Sequence, residues 1–184
     1  MYLKQQYIPL AIACILSIYP LNAFAQSTAF NDGPVINNFG QHAAVPTNTI
    51  KSDSKFNVAF DVGSASSDPT TVNRKFNSLA RFINMHVNAG VKQQNIHLAL
   101  VVHGKATFDL LNDVNYQKKY GTHNPNIPLI QSLIKNNVKV ILCGQSAAAQ
   151  NIDYSGLMKG VEIELSAMTA HAQLQQQGYT VNPF

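Results

Sequence analysis

Ile96-His97-Leu98-Ala99-Leu100-Val101-Val102-His103-Gly104 is the stretch that decides the fold. From Leu98 to Val102 every side chain is apolar, without the alternation of a strand that has one wet face. A short run of this kind, closed by glycine, reads as a strand covered on both sides, as strands are inside a parallel sheet. Upstream, Phe56-Asn57-Val58-Ala59-Phe60-Asp61-Val62-Gly63 is a second strand ended by glycine. After a Ser64–Ser67 loop, Asp68 and Pro69 suit the N-cap and first position of a helix. Val72, Phe76, Leu79, Ile83 and Val87 then recur at helical spacing until Gly90.

Downstream, Lys105 to Tyr120 is expected to hold one or two short helices. Asn124-Pro125 opens another, with Leu129, Ile130, Leu133 and Ile134 on its buried side; Pro128 is tolerable in the first turn. Val138 to Leu142 is a third strand, closed by Cys143-Gly144, and Ser146 to Gln150 a short helix. Val161-Glu162-Ile163-Glu164-Leu165 alternates strictly, so this strand has one face nearer water. Ser166 caps a helix over Ala167 to Gln177, and Tyr179 to Val181 makes a fifth strand. No solenoid-length repeat is present. Strands alternating with helices point to an α/β fold: a three-layer α/β/α sandwich with a mostly parallel five-stranded sheet over residues 55–184.

The chain has 184 residues, 46% hydrophobic and 12% charged, which suits one globular domain and excludes wholesale disorder. Thirteen basic against nine acidic residues, with no Lys/Arg run, give no footprint for nucleic acid. Residues 1–25 read as a signal peptide: Lys4, an apolar run from Ile8 to Ile18, and Ala23-Phe24-Ala25 as the cleavage site. The run is shorter than the ~20 residues of a membrane span, and Ala11-Ile12-Ala13 before Cys14 is a poor lipobox. Cleavage after Ala25 predicts a periplasmic or secreted protein, with no membrane attachment afterwards and Cys143 as its one thiol. Residues 26–54 are rich in turn formers. They are either an extended arm anchored by Val35, Ile36, Phe39 and Val45, or a disordered leader.

Ligands of open parallel sheets bind beyond the carboxyl ends of the strands. Asp61, His103, Cys143 and Ser166 are therefore expected on one rim, with Gly63, Gly104 and Gly144 allowing close approach. Cys143 precedes a helix N-terminus, where unpaired N–H groups favour a thiolate; packed as an inert side chain, it is a small hydrophobe. His103 is the candidate proton carrier and Asp61 either its orienting group or a turn cap, with Asp61, Gly104, Gly144, Gln145 and Ser146 as candidate ligand-binding residues. His123 is a loop residue within possible reach of the same rim. His42, His86, His97 and His171 read as structural or solvated. Gly63 to Ser67 lacks the lysine and spacing of a P-loop, and there is no G-x-G-x-x-G. His103, His123 and Cys143 lack metal-ligand spacing, so neither a metal nor a cofactor is expected.

The segment Cys143-Gly144-Gln145-Ser146-Ala147-Ala148-Ala149 after a hydrophobic strand resembles the cysteine motif of the DsrE/DsrF-like sulfur-relay family. Val102-His103-Gly104, Asn124-Pro125-Asn126, Ser166 to Ala170 and Gln175 to Tyr179 are similar to its exported, signal-peptide-bearing branch. The resemblance spans roughly 55–184. It implies a flavodoxin-like three-layer architecture, oligomers (here a homo-oligomer), and a persulfide passed through the residue at Cys143, with His103 nearby. Partners would be a sulfur donor or acceptor protein, or a small thiol. Gln150 stands where members of this group often have arginine. The sequence thus leads to an exported sulfurtransferase-like persulfide carrier, with a non-catalytic ligand- or partner-binding oligomeric module of the same fold as the alternative.

Overall fold

The computed structural model of the protein describes residues 30–182, together with Tyr2. The signal peptide expected over residues 1–25 lies, Tyr2 apart, outside the described residues. No helix among the described residues is long and apolar enough to cross a membrane.

The strands are β1 (Phe30–Asn31), β2 (His42–Ala43), β3 (Phe56–Val62), β4 (Ile96–Val102), β5 (Lys139–Cys143), β6 (Glu162–Glu164) and β7 (Thr180–Asn182). The helices are α1 (Arg74–Asn88), α2 (Asp113–Tyr120), α3 (Ile127–Lys135), α4 (Gly144–Ala149) and α5 (Ala167–Gln176). Five strands form one sheet in the order β6-β5-β4-β3-β7, every neighbouring pair parallel. The unbroken apolar strand β4 is at its centre, where both faces are covered. The shorter β6 and β7 are the edges, and strictly alternating β6 has exposed side chains.

The period of two along each strand divides the core. Val58, Phe60, Val62, Leu98, Leu100, Val102, Val140 and Leu142 face one way, into a cluster with Phe76 and Leu79 of α1, Tyr116 of α2, Leu129 and Leu133 of α3 and Ala147 of α4. Ala59, Ala99, Val101 and Ile141 face the other way, against Ala170 and Leu174 of α5. The small alanines let α5 sit close. The result is the α/β/α sandwich read from the sequence, with one thick helical layer and one thin.

The long helix begins later than Asp68-Pro69 predicts. The Asp68 carboxylate accepts from the Thr70 N–H at 2.8 Å and its hydroxyl at 2.7 Å, closing a local turn instead of capping a helix. Asn73 is the N-cap, its side chain accepting from the Lys75 N–H. Asn126, not Asn124, directly precedes α3.

The segment before β3 packs against α1. Ile36 is buried in the main core, and β1 pairs antiparallel with β2, an element not evident in the sequence. Fully buried Asn84 of α1 holds the segment: its Oδ1 accepts from the N–H groups of Val35 (3.2 Å) and Ile36 (2.9 Å), and its amide donates to the carbonyls of Ile36 (2.9 Å) and Phe39 (3.0 Å). Removing the amide leaves these backbone groups unpaired in the interior. Asn84→Ala is expected to cost about 3 kcal/mol in urea unfolding, and to open residues 30–50 to limited proteolysis.

His86 stacks on Phe82 with ring centroids 3.9 Å apart, meets Phe56 edge-on, and directs Nδ1 at the Phe82 carbonyl. Burial pushes its pKa below the ordinary 6.5, against a smaller upward pull from that carbonyl. The unfolded chain therefore takes up a proton before the folded one does, and stability falls as pH drops from 6.5 towards the depressed folded value. Chemical denaturation across that window should show a shallower loss in His86→Phe.

Candidate functional site

Parallel pairing aligns Val62 with Val102 and Val102 with Leu142. The next residues along, Gly63, His103 and Cys143, therefore stand side by side at the carboxyl rim. Alternation sends Asp61, His103 and Cys143 to the face that carries α5. At the sheet edge, Glu164 of β6 pairs in register with Cys143.

Cys143 is the last residue of β5 and the N-cap of α4, so its sulfur meets the unpaired N–H groups of a helix start. The Ser146 N–H donates to Sγ at 3.4 Å. The N–H groups of Gln145 and of Ala167, the first residue of α5, also face the sulfur, as does the Ser146 hydroxyl. Two helix starts thus converge on one atom. Burial pushes the Cys143 thiol up and is the largest single influence, but the Ser146 hydroxyl and the three N–H groups together outweigh it, and the pKa is lowered. The Ser146 oxygen accepts in turn from the Gly104 N–H at 3.0 Å, which leaves its proton for the sulfur. Cys143 is 5% exposed and belongs to neither apolar cluster. Its surroundings are buried yet polar.

Glycines make this packing possible. Gly104 has φ +52°, and a Cβ on it would lie 2.7 Å from the Gly63 carbonyl oxygen. A Cβ on Gly63 would lie 2.6 Å from Cε1 of the His103 ring, which therefore packs close against the Gly63 backbone. One on Gly144 would lie 2.9 Å from the Glu164 carbonyl oxygen.

Asp61 sits between two imidazoles. Its Oδ2 meets Nε2 of His103 at 3.2 Å, and its Oδ1 meets Nε2 of His171 at 2.8 Å. Burial raises the Asp61 pKa, but the two histidines outweigh it and hold the carboxyl below its ordinary value. His171 reads from the sequence as structural or solvated; the structure instead joins it to Asp61 on the rim. Its signal is its place on α5, on the sheet-facing stripe with Ala167, Ala170 and Leu174. An imidazole in an otherwise apolar stripe calls for a polar partner on the sheet. His123 is exposed and pairs with Asp113 of α2 at 2.8 Å, not with a rim residue. Gln145 is exposed and reaches the sulfur through its backbone. Gln150 donates to the Gly104 carbonyl at 2.5 Å and the Ser146 carbonyl at 3.2 Å, tying α4 to the end of β4 where an arginine would bring charge.

Among the described residues, no three histidine, cysteine or acidic side chains are placed to hold a metal ion. A cavity of about 420 Å³ opens beside Ser64–Lys75, with none of Asp61, His103 or Cys143 in its lining. The site is a surface rim. Leu165 and Met168, 67% and 80% exposed, flank Ser166 and Ala167 on its β6 side.

The sequence model of the DsrE/DsrF-like family matches residues 57–183, which take in every helix described above and all of the five-stranded sheet but Phe56. The chain belongs to the DsrE/DsrF-like family. The fold also matches the crystal structure of the ychN protein from E. coli (22% identity, TM-score 0.51, covering 70% of this chain and 99% of that one). A protein of unknown function, MTH1491 from Methanobacterium thermoautotrophicum, matches with 14% identity and TM-score 0.51, over 71% of this chain and all of the other. At such identities the likeness concerns the fold alone. A search of curated proteins finds no match to the chain.

The N–H cradle gives a direct test. The rate of Cys143 alkylation by iodoacetamide, followed against pH, should have its midpoint below the ordinary thiol value of 9.0. Ser146→Ala should move that midpoint upward by removing the hydroxyl donor.

Proposed function

We propose that this protein carries sulfur on Cys143 as a persulfide, in the manner of a sulfurtransferase. The observation that carries the reading is the convergence of the α4 and α5 N-termini on one thiol whose pKa is lowered against the pull of burial. A thiolate is the species that attacks sulfur.

In the proposed step the Cys143 thiolate attacks the outer sulfur of a hydropersulfide donor, R–S–SH. The Cys143 Sγ–S bond forms as the R–S–SH sulfur–sulfur bond breaks, giving Cys143–S–SH and R–S⁻. No net oxidation occurs, because the sulfane sulfur keeps its oxidation level. A second thiolate then attacks the terminal sulfur and restores the Cys143 thiolate. His103 takes the Cys143 proton at the start and supplies one to the departing R–S⁻. The N–H groups around Sγ stabilise the same charge each time it returns.

The proposal extends to setting. The pattern of residues 1–25 supports export to a periplasm or the exterior, and family membership supports a homo-oligomer that exchanges sulfur with a donor or acceptor protein, or a small thiol. The 5% exposure of Cys143 favours a second reading, a non-catalytic module that binds a ligand or partner at this rim.

Mass spectrometry separates the two. Purified protein treated with polysulfide or thiosulfate should gain one sulfur atom on Cys143, and Cys143→Ser should gain none while keeping its circular dichroism. An unmodified wild-type protein, under conditions that load a known persulfide carrier, would leave only the module.

A further inference from the structure

We propose that His171 is a positioning residue for Cys143 chemistry: it holds one oxygen of Asp61 so that the other fixes the ring of His103. The proposal rests on the sulfur-carrier reading for its purpose, while its geometry is independent of that reading.

Asp61 meets two rings through the same nitrogen of each, Nε2, one ring per oxygen. A carboxylate is an acceptor, so each Nε2 carries the proton and donates. For His171 this assignment is reinforced from the other side of the ring, because Nδ1 is buried with no hydrogen-bond partner and a proton there would have nothing to meet. For His103 it leaves Nδ1 as the nitrogen with a free lone pair, on a side chain 35% exposed at the rim and one strand away from Cys143. Of the two ring nitrogens, it is the one left to exchange a proton in the proposed transfer.

Alone on one ring, the Asp61 carboxylate is free to turn about its Cβ–Cγ bond. The second ring stops that rotation. His171 is anchored by the helix that also brings the Ala167 N–H to the sulfur, one turn earlier on the same face. Helix α5 thus reaches from Cys143 of β5 to Asp61 of β3, and it places the thiol's donor and the acid's clamp together. A residue there for packing alone would avoid a buried, unpaired Nδ1; leucine would fill the stripe without one.

The test is ¹⁵N NMR of the histidine side chains in the full chain, combined with persulfide loading. Wild-type His103 and His171 should both appear as the Nε2–H tautomer. His171→Phe should leave His103 as a mixture of tautomers and slow loading by about tenfold or more. His171→Gln, which keeps an amide donor for Asp61, should restore both. A His103 tautomer and loading rate unchanged in His171→Phe would overturn the proposal. So would an Nδ1–H tautomer at His171 in the wild-type protein, a result that needs no variant to fold. The tautomer is read without any sulfur donor. Absence of loading in the wild-type protein, which fails the sulfur reading, is therefore told apart from an unmoved His103, which fails this one.

Discussion

The parallel pairing of β3 with β4, and of β4 with β5, sets the position of everything at the rim. A slip of one residue between β4 and β5 would turn Cys143 to the opposite face, into the core with Leu142's neighbours and away from α5. Such a slip is opposed along the whole length of the strands. Leu98, Leu100 and Val102 fill the thick layer, while Ala99 and Val101 receive α5, and the two sets do not exchange without burying a leucine where Ala99 now lies. The packing of the sheet thereby fixes the stereochemistry of the site, although the residues involved perform no chemistry.

The sulfur itself illustrates a balance of opposing effects. Removing a thiolate from water is unfavourable, and burial alone would make Cys143 an inert filler. Backbone N–H groups oppose this without bringing a mobile cation or a counter-charge. They are already fixed by helix geometry, so little reorganisation accompanies the appearance of the negative charge. The Gly104–Ser146 hydrogen bond extends the arrangement by one link, tying the end of β4 to the same donor set. Gln150, at the C-terminal end of α4, secures that contact through its amide.

Much of the architecture was legible because it is written in local patterns. The doubly apolar β4, the helical stripe from Phe76 to Val87 and the alternation in β6 each correspond to one kind of packing surface. The errors have local causes as well. Asp68 carries the signature of a helix cap, yet its carboxylate is used by Thr70, and the cap passes to Asn73, which is also tied to Asp109 and Asn126. The order of residues 30–43 depends on Asn84, some fifty positions later, and no local pattern announces such a partner. At the rim, Asp61, His103 and Cys143 follow from strand ends alone. His171 does not, because its role is defined by a carboxylate 110 residues earlier in the chain.

The thinness of one layer has a dynamic consequence. Helices α1 to α4 share the larger apolar cluster, whereas ten-residue α5 rests on a small patch around Ala59, Ala99, Val101 and Ile141. Segments with little buried apolar surface open at lower free energy than the rest of a domain, and they do so without global unfolding. Breathing of α5 would bare the thiol to a bulky encounter partner while the opposite layer stays intact. Amide hydrogen exchange in this helix, and with it the frequency of such openings, then becomes the natural clock for any reaction that a sulfur so sheltered undertakes with another macromolecule.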